Sequence, residues 1–476
     1  MNIAADRAPV IVWFREDLRL ADHPALSAAA ATGAPLIAAF VLDTDPSLRP
    51  LGAASRWWLD KSLAALARSL EAAGSRLILR RGGAADVLAS LAEETGARTV
   101  VWSRASAPAA AASEAGLARA LAARGVAAHA VDPADLVAPG AVRTGDGRAF
   151  KVFTAFWRAA RPRLEGLCPI PAPGRLRPLA IWPASERLET WRLHPTRPDW
   201  SGGLSAWTPG EAGAAERLEA FLGQGLAGYA ERRDRPDLDG GSRLSPHLRW
   251  GEISPRQMGS AVRTAVAAGQ AGETDSEKFL AELGWTAFNR QLLASLPDLA
   301  RRNARPQFDR FAWRRDPEGL EAWRRGRTGY PMVDAGMREL WATGFMHNRV
   351  RMIAASFLTK HLMADWRAGE AWFWDTLVDA DAANNPANWQ WAAGTGADAA
   401  PYFRVFNPTL QGARFDPDGV YVRRWLPELR ALPGALIHQP WRADRSATRG
   451  YPAPIVDHAK ARARALAAYA DLKETA

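Results

Sequence analysis

Val10-Ile11-Val12-Trp13-Phe14 is a short, wholly apolar run. A run of this length without polar alternation is a strand buried on both faces rather than one face of a helix. Four further runs behave alike, at 35–42, 76–79, 99–102 and 126–131. Between them lie alanine- and leucine-rich stretches with helical spacing. The clearest is 53–73, closed by Gly74 as a C-terminal cap. This alternation predicts a parallel, doubly wound sheet. Neither a G-x-G-x-x-G fingerprint nor a P-loop accompanies it, which excludes an ordinary dinucleotide or NTP site.

The chain has 476 residues, 48 % hydrophobic and 24 % charged, the profile of a globular protein of roughly two or three domains. Cys168 is the one cysteine. It excludes an internal disulfide and any multi-cysteine zinc or iron–sulfur site, and it fits a reducing compartment. Residues 1–9 carry no signal-like apolar run, and no stretch has the length of a membrane span, so a cytoplasmic protein without a membrane role is expected. The formal charge is +10, from 61 basic and 51 acidic residues. That suits a phosphate backbone. It equally suits a GC-rich genome, because only 6 of the 61 basic residues are lysine. There are 21 tryptophans against 6 tyrosines. A residue so demanding to bury points to stacking or electron-transfer roles.

The segment 161–210 holds 9 of the 33 prolines and reads as an irregular connector. From there on the patterns are helical, most clearly at 276–296, 334–360 and 370–377. The expected division is an α/β domain at 1–132 with a parallel doubly wound sheet, an extended connector at 133–212, and a larger all-α domain at 213–476.

Four clusters in the helical part carry chemistry. Gly240-Gly241-Ser242-Arg243-Leu244-Ser245 has the donors to wrap a phosphate, or is a solvated turn whose serine caps the next helix. Glu282, Trp285 and Asn289 share one helical face. They line a pocket, or Glu282 is a half-buried acid paired with a nearby arginine. In Met346-His347-Asn348-Arg349-Val350-Arg351-Met352, Asn348 and Met352 share a face, and so do His347 and Arg351. Asp379-Ala380-Asp381 with Asn384-Asn385-Pro386-Ala387-Asn388-Trp389-Gln390-Trp391 is polar and broken by proline, poor helix material that reads as a ligand-lining segment. His347 has no second ligand at metal-binding spacing, so no metal site is expected.

Val12-Trp13-Phe14-Arg15-Glu16-Asp17-Leu18-Arg19 resembles the opening motif of the photolyase/cryptochrome family. Thr328-Gly329-Tyr330-Pro331-Met332-Val333-Asp334-Ala335, the Met346–Met352 segment, and Asp398-Ala399-Ala400-Pro401-Tyr402-Phe403-Arg404-Val405-Phe406-Asn407-Pro408 are similar to its flavin-domain motifs. The match runs in order from residue 10 to about 460 and is nearest in kind to bacterial dimer photolyases of class I and class III.

The resemblance implies an α/β antenna domain followed by a helical FAD-binding domain. It implies light-driven repair of cyclobutane pyrimidine dimers in DNA, by electron transfer from reduced FAD to a flipped-out dimer. Tyr229 and Ser242, Arg243, Leu244 and Ser245 match phosphate-side contacts of FAD. Asp379, Asp381 and Asn385 match flavin-side contacts, with Asn385 facing the reactive flavin nitrogen and Arg351 pairing with Asp379. Trp285 and Trp391 match walls that stack on the dimer, and Glu282 matches the acid that hydrogen-bonds it. Asn289, Asn348 and Met352 are assigned to the same cavity; Arg233, Arg349 and Arg404 are assigned to phosphates or its rim. Trp389, Trp366 and Trp313 match the chain of tryptophans that carries electrons to the flavin, although each alone would read as an ordinary core residue. The partner implied is double-stranded DNA, the protein acting as a monomer without an obligate protein partner.

Two departures stand out. Where the family grips an antenna pigment, this chain has Ser103-Arg104-Ala105-Ser106-Ala107-Pro108-Ala109-Ala110-Ala111-Ala112, with alanines at the amide and acid positions. That counts against a folate antenna and leaves a deazaflavin open. The second acid near Glu282 is replaced by Ala287. The rival reading is a cryptochrome-type light sensor that signals to a protein. The short sequence after the Pro452–His458 motif and the amide at Asn385, where plant sensors carry an acid, favour repair. Lesions of the (6-4) type need proton transfer from paired histidines. Asn348 and Met352 stand at those positions, and neither is a general acid near neutral pH.

Overall fold

In the computed structural model, residues 8–166, 168–399 and 403–474 are described. Residues 1–7 and part of the Asp398–Pro408 motif, Ala400, Pro401 and Tyr402, lie outside them. Packing divides the chain into two compact units: 1–195 with 207–227 and 242–297, and 196–206 with 228–241 and 298–476. The boundaries expected at 132 and 212 both fall within the first unit.

The first unit is built on five parallel strands, β1 Val10–Phe14, β2 Leu36–Asp43, β3 Leu77–Gly82, β4 Thr99–Ser103 and β5 Ala127–Val131, in the order β3-β2-β1-β4-β5. β1 is central; Val10 lies opposite Leu36 on one side and Thr99 on the other. Every residue of β1 is buried, which is why its sequence lacks polar alternation. Strand order reverses beside β1, and open parallel sheets keep ligands outside the strand ends at such a reversal. Here Arg15, just past β1, donates to the Ser103 carbonyl and pairs with Glu114, which also accepts from the Ala105 amide at 2.6 Å. The alanine run beyond Ser103 forms the start of helix Pro108–Ala122.

Helix Glu273–Ser295 also belongs to this unit and packs on helix Phe153–Ala160. A side chain on Gly284 would run into the Trp157 ring, so glycine sets how closely these helices approach. Among the described residues between 161 and 210 the helical pieces are three short 3-10 turns, Arg161–Leu164, Leu188–Trp191 and Ser201–Ala206, as the prolines predict.

The second unit is helical around one large core that includes Trp323, Val333, Leu340, Phe357, Trp366 and Trp389. The single helix expected at 334–360 is divided into Pro331–Thr343 and Asn348–Ser356, followed by a π-helical turn, Phe357–His361. Gly344 ends the first piece at φ +66, a left-handed conformation that costs glycine least. The polar stretch after Asp381 also departs from expectation, because Asn384–Ala393 is helical. Pro386 falls in its first turn, where a missing N–H breaks no bond.

Candidate functional site

The assigned residues divide between the units. In the first, Glu282, Trp285 and Asn289 all project from helix Glu273–Ser295; Asn289 is buried, Glu282 and Trp285 partly so. Trp285 stacks on Phe153 with centroids 3.8 Å apart and planes 9° from parallel, and it meets Phe288 edge-on at 5.7 Å. One face of the indole is therefore occupied by protein. Ala287 is buried on the same helix.

The Ser242–Ser245 turn holds Arg243 at φ +50, a strained conformation for a residue with a side chain. The Ser242 carbonyl accepts from Arg217 Nε at 2.7 Å, and its hydroxyl accepts from the Leu244 amide at 3.4 Å. Helix Ser245–Arg249 follows, with Leu244, fully buried, at the cap position. The serine-cap alternative is not what forms: Ser245 is already inside the helix, and the side chain of Leu244 before it has no oxygen to cap with.

In the second unit, Arg351 and Asp379 make a two-pronged ion pair, Nη1 to Oδ1 at 3.1 Å and Nη2 to Oδ2 at 2.7 Å. Arg351 Nε donates to the Met346 carbonyl at 2.7 Å, which aims the guanidinium. The chain before Asp379 is anchored by the Val378 amide donating to the Gly344 carbonyl at 2.9 Å. Thus the glycine break in 334–360 is what brings Arg351 to the acid. Asp381 accepts from the amides of Ala383 and Asn384 at 2.8 and 2.6 Å, closing the entry to helix Asn384–Ala393. That helix carries Asn385, Trp389 and Trp391.

Asn385 is buried, and its Nδ2 donates to the carbonyl and to the carboxylate Oε1 of Glu370. Trp389 and Trp366 lie in the same core, with Trp313 packed against it. Trp389 is bracketed by Phe373 at 4.9 Å and Trp323 at 6.0 Å, and Trp366 donates to Asn303 at 2.9 Å.

Asn348 is exposed at the start of helix Asn348–Ser356, and Met352 is half-buried one turn on. His347 is the residue that caps this helix, not part of it. Its Nδ1 accepts from the Arg349 amide at 3.2 Å. Burial pushes its pKa down to about 4, against the pull of Asp234, so the ring is neutral near pH 7. Arg349 pairs with Asp234, which also lies 3.8 Å from Arg233, and stands over the Phe415 ring at 4.4 Å. Arg233 faces the ring of buried Tyr229 at 5.9 Å. Arg404 is exposed, over Phe406 at 5.0 Å, and Trp391 is half-buried.

Sequence reasoning missed Phe153 and Glu370. Neither shares a helix with the residue it supports, so no spacing rule connects them. No group of three or more metal-ligating side chains is arranged for an ion among the described residues, and no described helix is long and apolar enough to cross a membrane.

Two family descriptions match the chain: DNA photolyase over residues 10–174 and the FAD binding domain of DNA photolyase over residues 279–471. A deoxyribodipyrimidine photo-lyase of Agrobacterium fabrum is 49 % identical over 98 % of this chain and 99 % of its own length. The crystal structure of a class III photolyase from Agrobacterium tumefaciens superposes with a TM-score of 0.94 at 49 % identity, covering 99 % of both chains. Cryptochrome-1 of Arabidopsis thaliana is 38 % identical over 95 % of this chain and 69 % of its own.

Proposed function

The chain belongs to the DNA photolyase family, and on that footing we propose that it repairs cyclobutane pyrimidine dimers in double-stranded DNA by light-driven electron transfer from FAD. The observation that carries repair over signalling is Asn385, a buried amide whose nitrogen is held by Glu370. Its oxygen is left as a neutral acceptor, where an acid would carry charge.

The residues present fit FAD. Asn385 Oδ1 accepts no hydrogen bond from the described residues, which leaves the oxygen of this fixed amide free to accept from a bound cofactor. Asp379, neutralised by Arg351, and Asp381 accompany it on the flavin side. Arg243, with its strained backbone, and Ser242, Leu244, Ser245 and Tyr229 are assigned to the phosphates. Bound FAD supplies the electron when it absorbs light in its reduced state.

The protein's own part is recognition and positioning. Enzymes that act on a base take it out of the stack, and a damaged site costs least to open. Trp285 offers an indole whose plane is fixed by Phe153 and Phe288, a flat surface for a flipped base. Trp391 is the second such surface, and Glu282, Asn289, Asn348 and Met352 contribute hydrogen bonds and contacts. Arg233, Arg349 and Arg404 serve the DNA backbone; Arg349 does so already engaged by Asp234. Trp389, Trp366 and Trp313 relay electrons inward. A neutral His347 cannot donate a proton, which favours dimers over (6-4) lesions. The protein works as a cytoplasmic monomer. The test is to illuminate the reduced protein with oligonucleotides carrying each lesion separately. Restored thymines from the dimer are expected; repair of the (6-4) lesion alone would overturn the reading.

A further inference from the structure

Of the six lysines, Lys360 alone is buried, at 1 % exposure. A lysine so enclosed ordinarily has a carboxylate beside it. Among the described residues none pairs with this one. Its Nζ donates to the Ala392 carbonyl at 3.0 Å and stands over the Phe403 ring, 3.7 Å from the centroid. Both contacts lead toward the relay tryptophans. Ala392 lies one turn beyond Trp389 on helix Asn384–Ala393. Phe403 meets Phe311 at 5.8 Å, and Phe311 meets Trp313 at 4.5 Å. Lys360 itself sits on the π-helical turn Phe357–His361, whose Leu358 lies against the same glycine, Gly369, as the Trp389 ring. The amine is thus wedged between residues packed at the inner end of the relay and residues packed at its outer end.

We infer that Lys360 is a positioning residue of the tryptophan relay: as an ammonium it opposes the outward passage of the electron vacancy, and as a neutral amine it permits it. This rests on the reading that Trp389, Trp366 and Trp313 form the relay. In photoreduction one electron leaves Trp389 for the light-excited oxidised flavin. Trp366 refills Trp389, Trp313 refills Trp366, and a thiol in solution refills Trp313 and is oxidised. Lys360 exchanges a proton with solvent and no electron. A nearby positive charge disfavours a cationic indole, the more so where water is excluded. With the ammonium in place the vacancy spends less time on Trp313, and the electron returns before the thiol acts.

The charged and titratable groups on the elements around this turn are engaged elsewhere. His361 in the same turn is bonded to His458 at 2.9 Å, and burial pushes its pKa down to about 3, so its ring is neutral. On the C-terminal helix, Arg464 donates to the His361 carbonyl at 2.6 Å, and Tyr469 stacks on Phe403 at 4.8 Å. Glu370 accepts from Asn385, Arg367 pairs with Asp365, Arg349 with Asp234 and Arg351 with Asp379. Burial is the cause that acts on Lys360, and it pulls the pKa down to about 7, so the side chain changes charge near neutral pH.

Lys360→Met keeps the bulk and removes the charge. The measurement is the initial rate of flavin photoreduction under blue light in the FAD-loaded protein, with dithiothreitol as donor, from pH 6 to pH 9. The ratio of variant to wild type cancels any pH dependence that the two share. It should be on the order of fivefold at pH 6 and fall to about one at pH 9, the scale of a unit charge acting across a few side chains. A ratio that does not change with pH would overturn the role of Lys360. Dimer repair by chemically reduced protein bypasses the relay and should be equal in the two proteins; a matching loss there would show damage to the fold and also overturn it. Photoreduction undiminished in Trp389→Phe would instead remove the relay, the reading beneath. A readout that needs no flavin is the ¹³C NMR spectrum of lysine-labelled protein. The signal lost in Lys360→Met should titrate near pH 7, well below the other lysines. A midpoint of about 10, that of an ordinary lysine, would leave Lys360 charged throughout and overturn the inference.

Discussion

The Phe153 ring lies flat on the Trp285 indole, 3.8 Å between centroids and 9° between planes. Phe153 opens helix Phe153–Ala160 and Trp285 sits within helix Glu273–Ser295, so two helices hold one aromatic plane. Its orientation is set before any base arrives, and the entropy of ordering it is already spent. Trp285→Ala should weaken binding of dimer-containing DNA about tenfold or more, from the ~1–3 kcal/mol of a base–aromatic stack, while leaving binding of undamaged duplex nearly unchanged. Equilibrium binding to matched oligonucleotides with and without the dimer reads this. Equal losses on both would count against a stacking role.

Trp389→Phe keeps an aromatic ring beside Phe373 and Trp323 but is harder to oxidise. Photoreduction of oxidised flavin should fall to a small fraction of wild type, while repair by chemically reduced protein stays within about twofold, the fold being little disturbed. Absorption changes under blue light check the first outcome and single-turnover repair the second. Unimpaired photoreduction would place the relay elsewhere.

Arg351→Ala leaves the nearly enclosed carboxylate of Asp379 without its two-pronged partner. Removing one member of such a pair costs about 3 kcal/mol or more when it is well buried. Arg351 keeps partial access to solvent, so about 2 kcal/mol is the expected loss, discounted for screening. It should appear as a lower melting temperature and faster release of flavin fluorescence on heating. A melting curve that overlays the wild type would show that the pair contributes nothing.

Lys360 is fully buried, donates to the Ala392 carbonyl at 3.0 Å and lies 3.7 Å over the Phe403 ring. Burial pulls its pKa from 10.5 down to about 7. Between those values the unfolded chain holds the proton and the folded chain does not. Stability therefore rises as pH climbs from 7 to 10.5, by up to about 1.4 kcal/mol per pH unit. Lys360→Met should be more stable than wild type at pH 7, with a flatter pH dependence above it. Denaturant unfolding at pH 7, 8 and 9 measures both. Parallel curves for the two proteins would show that Lys360 stays charged on the carbonyl and the ring.

His347 contributes in the acid range. Its folded pKa of about 4 lies below the ordinary 6.5, so stability is complete above 6.5 and is lost as pH falls toward 4, by up to about 3 kcal/mol. Dimer repair should show no titration from this histidine between pH 6 and 8. Its imidazole resonances followed by NMR should stay those of the neutral ring over that span; a midpoint near 6.5 would contradict its burial.

The features legible along the chain were local in origin. β1, β2 and β4 were legible because a strand buried on both faces does not alternate with polar residues, and β1 matches its apolar run, Val10–Phe14, residue for residue. Glu282, Trp285 and Asn289 were placed together because helical spacing alone aligns them. The order β3-β2-β1-β4-β5 was not legible, since strands of similar composition compete for each neighbour until the helices pack. Nor was the division of 334–360: its apolar spacing persists across Gly344, and only a left-handed glycine with Val378 bonded to its carbonyl turns Arg351 onto Asp379. Pro386 misled in the other direction, because a proline that interrupts a helix and a proline that begins one are the same residue until the helix start is known. Trp285 and Asn385 were found in the sequence, but not the Phe153 and Glu370 that orient them. Orientation comes from partners on other helices, and which helices touch is settled by burial of the whole core rather than by any spacing along the chain.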